Sequence, residues 1–368
     1  MERRPSAEAR MAIAHEWLAV RAGSEKTFEA MAKAFPRADL YALTRDPEAA
    51  FYFGGREVVT TALDRWPLLR DRRALALPLM PAAWRFIPVR ESYDVVLTSS
   101  HAFVRTFPPA RPAQHFCYCH APMRYAWSPG IDQRTSRQIP GLSTALAGLR
   151  AWDRRTTRHV DHFAANSSAV RDRIGKFYGR EATVIHPPVD TGFFTPSPEP
   201  AFRERALAVS RFIPYKRLDL AIRACAQAGV PLTLAGSGPD EADLRALART
   251  TGADVEFEIA PSDERLRDLY RTSIALLFPA NEDFGIVPVE TQACGTPVIG
   301  LDEGGVRDTV IHGETGLRVA RQEPDDFADA LRELVGTPPK PQDCREHAER
   351  FSLGRFIERM QEWILART

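Results

Sequence analysis

The stretch 278–300, FPANEDFGIVPVETQACGTPVIG, constrains the fold more than any other part of the chain. It begins at the end of an apolar run of strand length, 274–278, and continues into a polar loop carrying Glu282 and Asp283. Val287 opens a short helical segment that contains Glu290 and is closed by Gly295, and 297–299 is again strand-like. Strand, acidic loop, helix, strand is the order in which an α/β domain presents a ligand site at the carboxyl ends of its strands. Ionised carboxylates only accept hydrogen bonds, so Glu282 and Glu290, eight positions apart, suit the hydroxyls of a sugar.

Similar strand–turn–helix units run along the rest of the chain. In the first half, 11–15, 40–43, 58–60, 93–97, 114–119 and 161–165 have strand character. A small-residue turn at Gly23 and Ser24 precedes the helical segment 25–35, where Phe28, Met31 and Phe35 have helical spacing. Such a turn exposes backbone N–H groups able to receive a phosphate or a sugar hydroxyl, and it is equally an ordinary loop. The strand 114–119 runs into His120, a position where α/β sites collect ligands. Arg124, Tyr125 and Trp127 follow, offering a guanidinium to a phosphate and rings to the apolar face of a sugar. Residues 130–141, rich in Gly, Pro, Ser and Gln, read as a loop, 148–159 as a basic helix, and Asn166, Ser167 and Ser168 as the cap of a helix running to Tyr178. Residues 192–200, GFFTPSPEP, read as a linker between domains.

In the second half the strand 206–209 leads to Arg211 and Lys216, which bracket a strand-to-helix turn suited to a diphosphate. The strand 232–235 leads to Gly236 and Gly238, a turn that permits close ligand approach but lacks the surroundings of a dinucleotide fingerprint. Asp283, Phe284, Gly285 and Ile286 form a tight turn whose N–H groups can meet sugar and phosphate. The segment 351–365 spaces Phe351, Phe356, Ile357, Met360 and Ile364 like one face of a final helix.

With 368 residues, the chain is long enough for two domains, each with its own core. A formal charge of +1 argues against a nucleic-acid partner. Basic residues do cluster in 63–90, where arginines alternate with Trp66, Leu68, Leu69, Leu75, Leu77, Leu79, Met80, Trp84 and Phe86 and prolines interrupt. Two readings stay open there: a helical pair folded over a sheet, or contact with anionic lipid headgroups. The five cysteines are odd in number, and Cys117 and Cys119 lack the spacer of a redox or zinc motif, so unpaired thiols in a reducing compartment are expected. There is no D-x-D segment and no histidine cluster of metal spacing, and no apolar run approaches the length of a membrane span or a signal-peptide core. The protein is expected in the cytoplasm, needing neither cofactor nor metal.

Taken together, Arg211, Lys216 and the Glu282-x7-Glu290 spacing resemble glycosyltransferase family 4, retaining enzymes of the GT-B fold that use nucleotide-sugar donors and carry an EX7E signature. The wording is most similar to bacterial WbaZ-like mannosyltransferases of polysaccharide assembly. The resemblance implies an α/β architecture of two Rossmann-like domains facing each other across a cleft: an acceptor-binding domain over 1–192, a donor-binding domain over 201–350, and a helix over 351–368 that returns to the first. It implies that Arg211 and Lys216 grip the donor diphosphate, that Glu282 lies by the donor sugar and that Glu290 holds the ribose. It also implies that His120, in YCHAPMRYAW, meets the transferred sugar or the acceptor. Gly23, Ser24, Gly236, Gly238 and the turn 283–286 would line the donor, and Arg124, Tyr125 and Trp127 the acceptor opening. Family members usually carry two glycines where this chain has Gly23 and Ser24, which weakens the case for a close backbone approach there.

The reaction implied is retaining transfer of α-mannose from GDP-mannose to a hydroxyl of a glycan or a polyprenyl-diphosphate-linked acceptor. Contact of 63–90 with lipid would place the protein peripherally on the inner face of the plasma membrane. The rival readings are a glycosyltransferase using a UDP-sugar, a sugar epimerase or phosphorylase on the same fold, and a non-catalytic nucleotide-sugar-binding protein.

Overall fold

Strands such as VVLTSS and QHFCYC are buried along almost their whole length, so both of their faces must be covered, which is the situation of a parallel sheet between helical layers. The computed structural model describes residues 9–47, 51, 53–71, 73–90, 92–108, 113–127, 142–199 and 203–368. The loop read over 130–141 lies outside the described residues. The chain divides into two compact units, one comprising Met1–Pro188 with Gly354–Thr368 and the other Val189–Leu353.

Unit 1 contains, in chain order, β1 (Met11–His15), α1 (Gly23–Ala34), β2 (Asp39–Ala42), β3 (Val58–Thr60), α2 (Pro67–Asp71), α3 (Arg73–Ala76) and α4 (Met80–Arg85). It continues with β4 (Val95–Ser100), β5 (Gln114–Cys119), α5 (Arg124–Trp127), α6 (Leu142–Thr156), β6 (His162–Ala165), α7 (Ser168–Tyr178) and β7 (Ala182–Val184). Its seven strands form one parallel sheet in the order β3-β2-β1-β4-β5-β6-β7.

Unit 2 contains β8 (Arg205–Arg211), α8 (Leu218–Ala228), β9 (Leu232–Ser237), α9 (Glu241–Thr251), β10 (Val255–Ile259), α10 (Asp263–Thr272), β11 (Ser273–Phe278) and α11 (Ile286–Ala293). Then come β12 (Val298–Leu301), α12 (Val306–Thr309), β13 (Gly316–Val319), α13 (Pro324–Gly336) and α14 (Pro341–Glu349). Its six parallel strands run β10-β9-β8-β11-β12-β13. Both sheets are Rossmann-like, and each reverses its winding once, between β1 and β4 and between β8 and β11. Loops diverge at such a reversal, opening a crevice at the carboxyl ends of the strands.

The final helix, α15 (Leu353–Leu365), packs on unit 1. It buries Phe356, Met360, Trp363 and Ile364, setting Trp363 edge-on to Phe116 at 5.1 Å and Phe356 to Tyr118 at 6.0 Å. Each such side chain contributes roughly 1.5–3 kcal/mol by burial, so α15 is held by its face rather than by propensity. The unit boundary falls after Pro188 rather than after Gly192. The segment read as a linker lies on unit 2, with Phe194 in its core and the carbonyls of Thr191, Phe194 and Thr195 accepting from Arg345 and Arg271.

Several elements differ from the sequence reading for identifiable reasons. The strand expected over 93–97 is Val95–Ser100, because Thr98, Ser99 and Ser100 continue the ladder against Cys117, Tyr118 and Cys119. Their buried hydroxyls are satisfied by His115, by His15 and His120, and by Arg105, which removes the cost of burying them. α8 begins at Leu218, directly after Arg217, which adopts φ 53°. The helical pair over 63–90 is three short helices and a 3-10 turn, because the prolines cannot sit inside a longer helix. Its inner side places Leu63, Ala76, Met80, Trp84 and Ile87 in the core, while Trp66, Leu68, Leu75, Leu79 and Phe86 are exposed.

All five cysteines are buried, and none is joined in a disulfide. Burial pushes the Cys117 thiol up to about 11 and those of Cys225, Cys294 and Cys344 up to about 12, which keeps them protonated and unreactive. Among the described residues, no helix is long and apolar enough to cross a membrane.

Candidate active site

In unit 2, β8 delivers Arg211 at its carboxyl end, and the next turn, Pro214–Lys216, delivers Lys216. Lys216 Nζ forms an ion pair with Glu282 Oε1 of the loop after β11, so these residues, 66 apart in sequence, meet at the winding reversal between β8 and β11. The ammonium is nearly buried and also lies 5.0 Å from the Tyr215 ring centroid, whereas the Glu282 side chain keeps 23% of its exposure. Arg211 is exposed, with its Nη2 donating to Tyr215 Oη at 3.3 Å. Arg211 and Lys216 thus supply two cations beside Glu282, groups suited to a diphosphate.

The loops around this pair touch backbone to backbone. A Cβ on Gly236 would lie 1.9 Å from Ser210 O, and one on Gly238 2.4 Å from Phe212 O, so the β9 loop can lie against the β8 loop only with glycine at both positions. On the other side Gly305 N donates to Glu282 O at 2.8 Å, and a Cβ on Gly305 would lie 2.1 Å from Phe284 O. Asn281 Nδ2 donates to Glu303 Oε2 at 2.6 Å, while Gln322 links the two corners by accepting from Arg217 and donating to Pro279 O. The acidic loop is therefore clamped before any ligand arrives, which is what preorganised binding needs.

Gly285 at φ 82° turns the chain into α11, which starts one residue before the expected Val287, and aims the helix's first N–H groups at this loop. A helix start favours anions through its unpaired N–H groups and its dipole. Asp283 and Phe284 are buried in the turn, and Glu290 is buried in α11, where its Oε2 accepts from Tyr270 Oη at 3.0 Å. Burial and the adjacent Glu290 hold the Tyr270 phenol well above its ordinary value, so it stays a donor.

In unit 1 the carboxyl ends of β1, β4 and β5 bring together His15, Ser99 and His120. His120 Nε2 lies 2.8 Å from Ser99 Oγ, and Ser99 Oγ lies 2.9 Å from His15 Nδ1. Beneath them Glu16, fully buried, accepts from the N–H groups of Ala102 and Val104 at 2.7 and 2.9 Å. Burial raises its pKa against the opposing pull of those backbone donors. Gly23 and Ser24 form the first turn of α1, where the Ser24 hydroxyl donates to Glu25 Oε2 at 2.8 Å.

Arg124 and Tyr125 are exposed on α5. Trp127 is committed inward, stacked on Phe177 at 4.5 Å with its Nε1 donating to Asp153 at 2.7 Å. A cavity of about 700 Å³ in the same unit, lined by Arg85, Arg105, Phe107, Trp152, Arg155 and His159 among others, includes none of the residues predicted for the site.

The sequence reading overlooked His15, Ser99, Tyr215 and Tyr270. His15 carried a usable signal, since it ends a strand as His120 does. Tyr215 and Tyr270 had none, because an aromatic residue next to a loop or inside a helix is ordinary core material. Among the described residues, no group of three or more His, Cys, Asp or Glu side chains could hold a metal ion.

Comparison with known proteins covers nearly the whole chain. Residues 21–193 match the family model described as Glycosyltransferase Family 4, and residues 194–351 match that described as Glycosyl transferases group 1. The D-inositol 3-phosphate glycosyltransferase of Rhodococcus erythropolis is 33% identical over 237 residues, covering 56% of this chain and 54% of the relative. That of Nocardiopsis dassonvillei is 34% identical over 247 residues, covering 58% and 57%. The chain thus spans about half the length of the curated relatives it matches.

Among solved structures, sucrose-phosphate synthase from Thermosynechococcus elongatus superposes with a TM-score of 0.75 at 20% identity, over 96% of this chain and 98% of the other. Anabaena HepE in complex with UDP and glucose superposes with a TM-score of 0.71 at 18% identity, over 96% and 99%. At these identities the structures attest the fold.

Proposed function

The chain belongs to glycosyltransferase family 4, whose model matches residues 21–193 while that of glycosyl transferases group 1 matches residues 194–351, and from that premise we propose that it transfers a hexosyl group from a UDP-sugar to an acceptor hydroxyl with retention of configuration. The observation that carries this reading is the Lys216–Glu282 ion pair, clamped at the winding reversal of unit 2 beside the start of α11. In the reaction the bond from the anomeric carbon to the diphosphate oxygen breaks and a bond to the acceptor oxygen forms. The acceptor's proton leaves with the diphosphate. Charge therefore grows on the departing phosphate, where Lys216, Arg211 and the N–H groups after Gly285 stabilise it. Glu282 accepts from hydroxyls of the transferred sugar and Glu290 from those of the ribose, while His120 is assigned a ligand contact in unit 1.

UDP is favoured over the GDP-mannose expected from the WbaZ-like wording. The relatives named above are inositol-phosphate glycosyltransferases, and the HepE neighbour holds UDP and glucose. A donor panel tests the choice. UDP-glucose, UDP-N-acetylglucosamine and UDP-galactose are presented beside GDP-mannose, and both released nucleoside diphosphate and lengthened acceptor are measured by mass spectrometry. At least one UDP-sugar is expected to turn over more than about tenfold faster than GDP-mannose, as one or two good contacts to the base would dictate. Turnover of GDP-mannose alone would restore the mannosyl reading. Donor consumption with no lengthened acceptor would leave the epimerase and phosphorylase readings, and binding with no consumption would leave the non-catalytic one.

The same reading includes a lipid-linked acceptor, supported by the outer side of α2–α4. Phe86 is 83% and Trp66 64% exposed, with Leu68, Leu75 and Leu79 beside them in sequence. Residues 63–90 hold six arginines and two aspartates, of which Asp64 is turned inward to Arg45 N and Thr60 Oγ1. An anionic membrane surface attracts each such cation by roughly 1 kcal/mol, and the apolar side chains insert. The protein is expected to co-sediment with phosphatidylglycerol vesicles. Replacing Trp66 and Phe86 together by serine should weaken partitioning by about tenfold or more. Absence of binding at low salt would remove the membrane from the reading.

A further inference from the structure

His120 is the outer end of a hydrogen-bonded chain that runs into the sheet. Ser99 lies beside His15 in the register of β4 and β1, and His120 N donates to Ser100 O at 2.8 Å, so the backbone of three adjacent strands sets the spacing. His15 and Ser99 are fully buried, and His120 is half-buried. A serine hydroxyl has one proton and two acceptor sites, and Ser99 Oγ has no hydrogen-bond partner among the described residues besides the two imidazoles, so it donates to one ring and accepts from the other rather than leave its buried proton unused. Only two arrangements follow. Either His15 Nδ1–H donates to Ser99 and Ser99 to His120 Nε2, which leaves the His120 proton on Nδ1, or every bond is reversed and His15 must carry its proton on Nε2.

His15 Nε2 decides between them. It is buried and has no hydrogen-bond partner among the described residues. Orphaned buried N–H groups are rarer in folded proteins than under-used acceptors, so the reversed arrangement is the costlier. Burial, and then the nearby His101 and His120, hold the His15 pKa well below 6.5, while a backbone hydrogen bond with Ser99 favours its protonated nitrogen. The inner ring is thus neutral and passes on an orientation rather than a charge.

We propose that His15, acting through Ser99, is a positioning residue that locks His120 in the neutral tautomer with its proton on Nδ1, so that His120 offers a donor to a ligand oxygen. The role toward ligand rests on the function proposed above; the tautomer does not. His15 stacks on Phe28 at 5.1 Å and 17°, which fixes the plane of the inner ring and hence the direction of its N–H.

The test uses the full chain labelled with 15N-histidine, with the His120 signals assigned by their loss in His120→Gln. Imidazole nitrogen shifts at neutral pH are expected to report a protonated Nδ1 and a bare Nε2 at His120. Ser99→Ala and His15→Phe should shift the ring toward the Nε2–H form. His15→Asn, whose amide N–H can stand near the place of Nδ1, should preserve the wild-type pattern. With the donor identified by the panel, kcat is expected to fall about tenfold in Ser99→Ala and His15→Phe with donor KM changed less, and to recover in His15→Asn.

Should His15→Phe fail to fold, Ser99→Ala, which removes a single oxygen, carries the test. A wild-type His120 protonated on Nε2, or a tautomer unmoved by Ser99→Ala, would overturn the proposal. So would a moved tautomer with unchanged kcat. Tautomer shifts as expected in a protein that transfers no sugar would sustain the lock while refuting the assigned reaction.

Discussion

Lys216→Ala will reduce kcat/KM for sugar transfer by about 10²–10³-fold, the range seen when a single preorganised group facing developing charge is removed. Lys216 is placed by backbone, its N–H donating to Ile213 O at 3.1 Å in the turn Pro214–Lys216, so the substitution deletes a charge without moving the chain. Its partner Glu282 keeps 23% side-chain exposure and can be solvated when the ammonium is gone. The stability of unit 2 should therefore change little, and thermal unfolding serves as the control. Lys216→Arg is not expected to rescue, because a planar guanidinium cannot occupy the site of a compact ammonium lying against both Glu282 and the Tyr215 ring. Initial rates of nucleoside diphosphate release measure the effect. A rate within tenfold of wild type would show that Lys216 does not face the leaving group.

Arg105→Met is expected to destabilise unit 1 by about 3–5 kcal/mol, the cost of stripping one partner from a buried ion pair. The Arg105 guanidinium is 1% exposed, forms an ion pair with Asp153, and donates to Ser100 Oγ at 3.1 Å. Asp153 also accepts from Trp127 Nε1 and Tyr178 Oη, each at 2.7 Å. Without Arg105 a fully buried carboxylate would keep only neutral donors. Asp153 belongs to α6, Tyr178 to α7 and Ser100 to β4, so Arg105 joins the end of the strand beside His120 to the helical layer. Calorimetry should show the melting temperature lower by about 10 °C for a unit of this size. A shift of about 1 °C would mean that Asp153 is protonated or hydrated once the arginine is removed. Arg105→Met combined with Asp153→Leu should recover only part of the loss, because Trp127 and Tyr178 would then lack their acceptor.

Local chemistry made much of the architecture readable. β1, β3 and β5 follow their apolar runs to the residue, Ser167 caps α7 as its position foretold, and Glu282 and Glu290 lie on the loop and helix assigned to them. Each of these features depends on residues a few positions apart. β4 was read short because its last residues are polar, and their burial is tolerated only because His15, His115, His120 and Arg105, from elsewhere in the chain, satisfy them. In the same way the prolines of 63–90 foretold interruption but not which leucines would face outward.

The sequence by itself determined the strand–loop–helix rhythm, the turn residues and the family to which those turns belong, because periodicity, capping and glycine placement act within a few residues. Only the tertiary structure decided that Lys216 meets Glu282, 66 residues away, and that His15 reaches His120 through Ser99, 84 residues from His15. Those contacts follow from the order in which parallel strands lie side by side, which is set by how the whole chain packs its helices over each sheet and leaves no trace in the neighbours of any one residue.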